Sequence, residues 1–259
     1  LGVDDVLLAP ADTRIGSAGS TSASRQTWMS GGAVKAAAEA VRGSLLSRVA
    51  RAQGVDVSVL DLIDGHVRSA DGAIDLSITD LTSIDAVEEE IEYHHAPTTP
   101  LDEDGQGDAH LSFSFSAHRA VTDVDPELGL VRLVDLATSQ EVGRILNPLQ
   151  LTGQLEGGAA QGVGLALMEE IIVDDGLVRN PSFTDYLIPT MADLPTLRIA
   201  AIIEEPEPGA PFGAKGVGES PTISSTPAVV AAVRAATGLA LPRVPIRPEH
   251  IALADGADA

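Results

Sequence analysis

Cysteine is absent from all 259 residues. That excludes disulfides, a thiol nucleophile, cysteine-bound zinc and cysteine-ligated iron–sulfur clusters within the chain. Any redox chemistry must find its electron carriers elsewhere, and the absence fits a cytoplasmic setting. Basic residues are scarce too: 16 Lys and Arg stand against 38 Asp and Glu, a formal charge of −22. A nucleic-acid backbone or an anionic membrane surface calls for a basic face, so neither is expected as a partner. No apolar run approaches the ~20 residues of a transmembrane helix. The start, Leu1-Gly2-Val3-Asp4-Asp5, has no basic region and no Met. It reads as neither a signal peptide nor a natural beginning, so a fragment or one piece of a longer polypeptide is expected.

What remains suffices for a core. The apolar fraction is 44%, and the length allows one large domain or two small ones. Val6 to Ala9 reads as a short strand stopped by Pro10. Residues 16–24, rich in Gly and Ser, are either a flexible linker or a bed of backbone and hydroxyl donors for an anionic cofactor. Val34, Ala37, Ala38, Val41, Leu45 and Val49 then recur at helical spacing until Gly54. Residues 55–82 suggest short strands with a turn at Asp71-Gly72. An acidic helix is expected over 83–93, capped by Ser83, with Glu88-Glu89-Glu90 as its wet face. His94 and His95 are adjacent, so their side chains diverge and no metal site is expected.

From Leu111 to His118 the alternation is strict, and with a turn at 125–129 and a return strand over 130–136 it predicts an antiparallel hairpin. Asn147-Pro148 opens a second helical pattern running through Leu155, Val163 and Ile171. Gly157, Gly158, Gly162 and Gly164 interrupt it, each costing up to ~1 kcal/mol relative to Ala, so close approach of another backbone or of a ligand is expected there. Gln161 is the one amide in that patch. A strand follows over 197–203, then a Pro-broken loop, then Gly213-Ala214-Lys215-Gly216-Val217-Gly218-Glu219. Thr226 and Pro227 are expected to start a last helix that Gly238 ends. With helices and strands mixed but no βαβ regularity, the fold class is α+β.

The glycine-rich loop holds its one carboxylate, Glu219, just before a helix, where negative charge is favoured. It is neither a phosphate loop nor a dinucleotide fingerprint: no hydroxyl follows Lys215, and Pro221 stands where a third glycine belongs. No G-x-S-x-G elbow and no H-E-x-x-H pair occurs.

Four segments, in order, resemble the molybdenum hydroxylases, the xanthine dehydrogenase and aldehyde oxidoreductase family. They are residues 21–25 before the first long helix, residues 143–148, the glycine-rich run 153–162, and the loop 213–219. The resemblance covers nearly the whole chain and implies the C-terminal half of a molybdopterin-binding catalytic domain over 1–259. It implies Glu219 as general base, ionised before it takes the proton of an attacking hydroxyl. It implies that Ser22, Ala23, Ser24 and Gln26 line the pterin, that Gln161 hydrogen-bonds the cofactor, and that Gly218 lets the loop close. The metal would be held by the pterin dithiolene, with no protein ligand. The implied cofactor is molybdenum–molybdopterin, possibly in its cytosine dinucleotide form, with 2Fe-2S clusters and FAD on partner subunits. The implied substrate is an N-heterocycle such as xanthine, the alternatives being an aldehyde or a non-catalytic module of the same fold. Family molybdenum subunits are roughly three times this length, so the N-terminal half is expected from another chain or a parent polypeptide.

Overall fold

The structure, a computed structural model, describes residues 1–15 and 19–254. Residues 16–18 of the Gly/Ser stretch therefore lie outside the described residues. Contacts divide the chain into two compact units, Leu1–Ser20 with Gln26–His95, and Thr21–Arg25 with Ala96–Ala259.

In the first unit, helix α1 (Gln26–Gln53) follows from an Ala-rich run. Its first half buries only Gly32, and its buried apolar side chains all lie in the second half. Leu46, Val49 and Ala50 pack with Leu60 and Val67, whereas Val34, expected inward, is exposed. They lie against an antiparallel sheet of β1 (Leu60–Ile63), β2 (His66–Ser69) and β3 (Asp75–Ser77). Asp71-Gly72 makes the expected turn, the Gly72 N–H donating to the Ser69 carbonyl at 3.0 Å. A second turn at Asp64-Gly65, both at positive φ, joins Ile63 to its partner His66.

Two expectations fail in this unit. No strand forms over 6–9; Leu7 and Leu8 are almost fully exposed, and no neighbouring strand pairs with them. No helix forms over 83–93. Ser77, not Ser83, is the N-cap, accepting from the Thr79 N–H at 3.1 Å, and Ser83 ends the short helix α2 (Ile78–Thr82). Leu81 can join the core, while the Glu88–Glu90 stretch offers too little apolar surface to hold a short helix, which is marginal alone.

The second unit is built on a mixed sheet. Strands β4 (Ser116–Asp125) and β5 (Leu130–Glu141) form the predicted antiparallel hairpin. After helix α3 (Pro148–Leu167) and the small hairpin β6 (Val173–Asp174) and β7 (Leu177–Val178), strand β8 (Leu197–Ile203) adds parallel to β5. Strand β4 begins five residues later than the alternation from Leu111 suggests. Its partner explains this: Ser116 faces Gln140, and β5 stops at Glu141, whose N–H donates to the Phe115 carbonyl at 2.8 Å, so the strand has no partner beyond that point.

Helix α3 starts where expected, with Asn147 Oδ1 accepting from the Gln150 N–H at 3.1 Å and Pro148 in the first turn. It ends at Leu167, short of Ile171, and the N–H groups of Met168 and Glu169 both bond the Gly164 carbonyl. Helix α4 (Ser220–Thr237) starts seven residues before the predicted Pro227, with Glu219 rather than Thr226 as its N-cap. Pro221 takes the first turn, Pro227 sits inside the helix, and Gly238 at φ 74° closes it. The early start is a tertiary effect. Gly158 and Gly162 let α4 approach, since a Cβ at either would lie 2.8 Å from Pro221 Cβ or 1.8 Å from Ser225 Oγ. Thr222 and Thr226 then donate their hydroxyls to the carbonyls of Gly158 (3.0 Å) and Gly162 (2.9 Å). Those two glycines serve helix packing. Gly157 does not: nothing lies within 4 Å of a Cβ built there.

Under the sheet, Leu133 and Leu136 of β5, Ala159, Val163 and Ala166 of α3, and Val229 and Val233 of α4 form the main core. The last helix, α5 (Pro248–Ala252), adds Ile251. A second cluster, Val142, Leu151 and Leu155, lies at the C-terminal end of β5 and includes Val217 on its edge. It anchors the loop that precedes α4.

Candidate active site

The loop from 213 to 219 follows β8 and the Pro-broken segment after it, runs beside the end of β5, and delivers Glu219 as the N-cap of α4. Its first half is pinned to the strand end. Gly143, at φ 64°, bridges Ala214, and the Arg144 N–H donates to the Gly213 carbonyl at 2.7 Å. Lys215 Nζ pairs with Glu141 Oε2 at 2.9 Å, both side chains being about nine-tenths buried, while Glu141 Oε1 accepts from the Gly143 N–H at 2.8 Å. A buried charge needs such partners.

The second half of the loop meets the turn Ser22–Ser24. Ala23 and Ser24 hold φ 57° and 52°, a conformation that costs non-glycine residues energy and often marks functional sites. The strained turn places Ser24 against two loop glycines. A Cβ at Gly216 would lie 2.5 Å from the Ser24 carbonyl oxygen, and one at Gly218 would lie 3.2 Å from Ser24 Oγ. Ser24 and Glu219 then hold each other. The Glu219 N–H donates to Ser24 Oγ at 2.9 Å, and the same hydroxyl donates to Glu219 Oε2 at 3.0 Å. Oε1 carries no hydrogen bond among the described residues and Glu219 is exposed, so one carboxylate oxygen is fixed and the other is open.

Of the residues singled out by sequence, Ser22, Ala23, Ser24, Gly218 and Glu219 come together here. Gln161 joins through α4: its Oε1 lies 3.3 Å from Thr222 Oγ1, one turn beyond Glu219. Gln26 belongs to the first unit, where it opens α1 and donates to Ser30, its Oε1 buried without a partner among the described residues. Gln154 was given no role by sequence reasoning, yet its Oε1 lies 3.4 Å from the place of a Gly218 Cβ. Its spacing of seven from Gln161, two turns of one helix, was the available signal. Gly153 and Gly157 lie near these amides on α3 with nothing within 4 Å of their built Cβ positions.

Behind Glu219 runs a polar network. Ser220 Oγ donates to Gln140 Oε1 at 3.2 Å, and Ser116 Oγ donates to the Ser220 carbonyl at 3.0 Å. Ser224 Oγ lies 2.9 Å from Ser116 Oγ and 2.7 Å from His118 Nδ1. Burial pushes the His118 imidazole below its usual value of 6.5, and its Nε2 is buried without a partner among the described residues. Unfolding therefore takes up a proton as the pH drops below 6.5, so His118 removes stability on acidification and none at neutral pH. Urea unfolding at pH 7 and pH 5.5 should show a smaller acid loss for His118→Gln than for the parent. Equal losses would overturn this assignment.

The donor set suits an organic group that brings its own metal ligands. Hydroxyls, amides and glycine backbone surround Glu219, and among the described residues no three His, Cys, Asp or Glu side chains gather to hold an ion. The open glycine face beside Gln154 and Gln161 lets a flat ligand approach the backbone. Among the described residues no helix is long and apolar enough to cross a membrane.

Residues 1–195 match the family described as a molybdopterin cofactor-binding domain; Glu219 lies beyond that span. The chain is 33% identical over 240 residues to the xanthine dehydrogenase molybdenum-binding subunit of Escherichia coli O157:H7, covering 88% of this chain and 30% of that subunit. In fold it is similar to the Cu,Mo carbon monoxide dehydrogenase, with a TM-score of 0.69 and 22% identity over 89% of this chain and 29% of that one. It is also similar to quinoline 2-oxidoreductase from Pseudomonas putida 86, with a TM-score of 0.63 and 27% identity over 84% of this chain and 28% of that chain. The chain thus spans about a third of the length of the proteins it matches.

Proposed function

The chain belongs to the molybdenum hydroxylase family, through its molybdopterin cofactor-binding domain, and on that premise we propose that it carries the general base of a hydroxylase acting on an N-heterocycle such as xanthine or a related purine. The observation that carries this reading is the half-held carboxylate of Glu219. Ser24 fixes Oε2 and the backbone N–H, and Oε1 stays open to receive a proton. A base must be placed before its pKa matters, and this one is placed twice over. Glu219 takes the proton from the oxygen nucleophile as it adds to an electron-poor carbon.

When bound, the molybdenum–pterin group supplies the two-electron oxidation that Glu219 alone cannot. The turn at Ser22, Ala23 and Ser24, with Gly218, would hold it by backbone and hydroxyl groups. Gln161 would hold it by the amide N–H donors left unengaged among the described residues. The names of the xanthine dehydrogenase subunit and of quinoline 2-oxidoreductase, both heterocycle enzymes, support the substrate class. That the chain spans only 30% of the former supports a missing N-terminal half. The cytosine dinucleotide form of the pterin, and iron–sulfur and FAD subunits that remove the electrons, belong to the same reading.

The test is a substrate panel on the assembled molybdenum enzyme, with xanthine, quinoline and an aromatic aldehyde compared at matched metal content. Hydroxylation of a heterocycle with at least ~10-fold higher kcat/KM than aldehyde oxidation is expected. Preference for the aldehyde would move the assignment to an aldehyde oxidoreductase. A metal-replete enzyme inert to all three would refute the heterocycle reading.

A further inference from the structure

We infer that the buried pair Lys215–Glu141 is a positioning device that sets where Glu219 stands, an inference that rests on the proposed role of Glu219. The two charges sit 2.9 Å apart with about one-tenth of each side chain exposed. Taking two charges out of water is costly, and an apolar pair of similar volume often does as well or better for stability. Stability alone is therefore a poor reason for this pair. Its location supplies a better one.

Glu141 is the last residue of β5 and is held by the Gly143 N–H, so its carboxylate is part of the rigid sheet. Lys215 lies in the loop, four residues before Glu219, and its own N–H bonds the Val142 carbonyl at 3.2 Å. Between Lys215 and Glu219 stand Gly216 and Gly218, the residues that lose most freedom when ordered. A span this permissive holds a carboxylate in place only if both ends are fixed. The far end is fixed by α4 and by the Ser24 hydroxyl. The near end is fixed by Lys215. Without its side chain the near end keeps only its backbone bonds and the packing of Val217, and the two glycines on either side of Val217 let Glu219 shift off Ser24.

The experiment compares Lys215→Met and the double variant Lys215→Met/Glu141→Leu with the parent in the assembled, metal-loaded enzyme. The double variant leaves no unpaired buried charge, so it keeps the fold in play if the single variant misfolds. Two readouts are taken: steady-state kinetics, and backbone hydrogen exchange of the free and assembled protein. In both variants kcat is expected to fall about 10²-fold with KM little changed, as for a misplaced reacting group. Exchange at the Lys215 and Glu219 N–H groups should quicken by at least ~10-fold, while α3 and the body of α4 keep their protection.

Unchanged exchange at Glu219 in the double variant overturns the proposal. So does acceleration spread evenly over α3 and α4, the mark of a general stability role. If Glu219 proves not to be the base, kcat fails to respond but the selective exchange at Glu219 persists. The positioning claim and the catalytic claim therefore fail separately.

Discussion

Replacing Glu219 with Gln is expected to cut hydroxylation by about 10²–10⁴-fold, the usual worth of a positioned general base. Gln keeps the length of the side chain, and its Oε1 can still accept from the Ser24 hydroxyl that now bonds Glu219 Oε2. What it loses is the ability to take up a proton. The backbone bond from residue 219 to Ser24 Oγ is untouched, so the loop and its contacts persist. Molybdenum content should stay near that of the parent while turnover falls. Metal analysis and turnover on one preparation separate the outcomes. Full turnover with full metal would remove Glu219 from the mechanism, and loss of both would make it a binding residue instead.

Gly143→Ala should be the most damaging single methyl near the site. At φ 64° a side chain costs about 1–2 kcal/mol. The added Cβ would also lie 2.6 Å from the Gly213 carbonyl oxygen and 2.7 Å from the Lys215 nitrogen, both backbone atoms that cannot rotate away. Overpacking of that kind costs roughly 1–3 kcal/mol more. A loss of about 2–5 kcal/mol in urea unfolding is expected, with loss of turnover, because the methyl pushes the loop off the end of β5. Gly157 offers the contrast. It lies inside α3 with open space around its Cβ position, so Gly157→Ala should be neutral or stabilise by up to ~1 kcal/mol. A Gly143→Ala protein as stable as the parent would mean that the strand end and the loop are not locked together.

Several features were determined by local sequence alone. Asn147-Pro148 starts α3, Asp71-Gly72 turns β2 into β3, and Gly238 ends α4, because each is a cap or turn decided by a residue's own dihedral limits or by a side chain three residues away. The order of the four family-like segments, and Glu219 as the lone carboxylate of the glycine loop, were equally legible. Tertiary structure decided the rest. Helix α4 starts at Ser220 and not Pro227 because two glycines of α3 admit it, and β4 starts at Ser116 because its partner strand ends there. The acidic run after Ser83 stays out of a helix because it has no core to join. The site itself rests on pairs far apart in the chain: Ser24 with Glu219 across 195 residues, and Glu141 with Lys215 across 74. Caps and turns act within one turn of backbone, so they are written locally. A hydroxyl that holds a distant carboxylate, or a buried charge that finds its opposite, exists only once packing has brought the two together and removed the water between them.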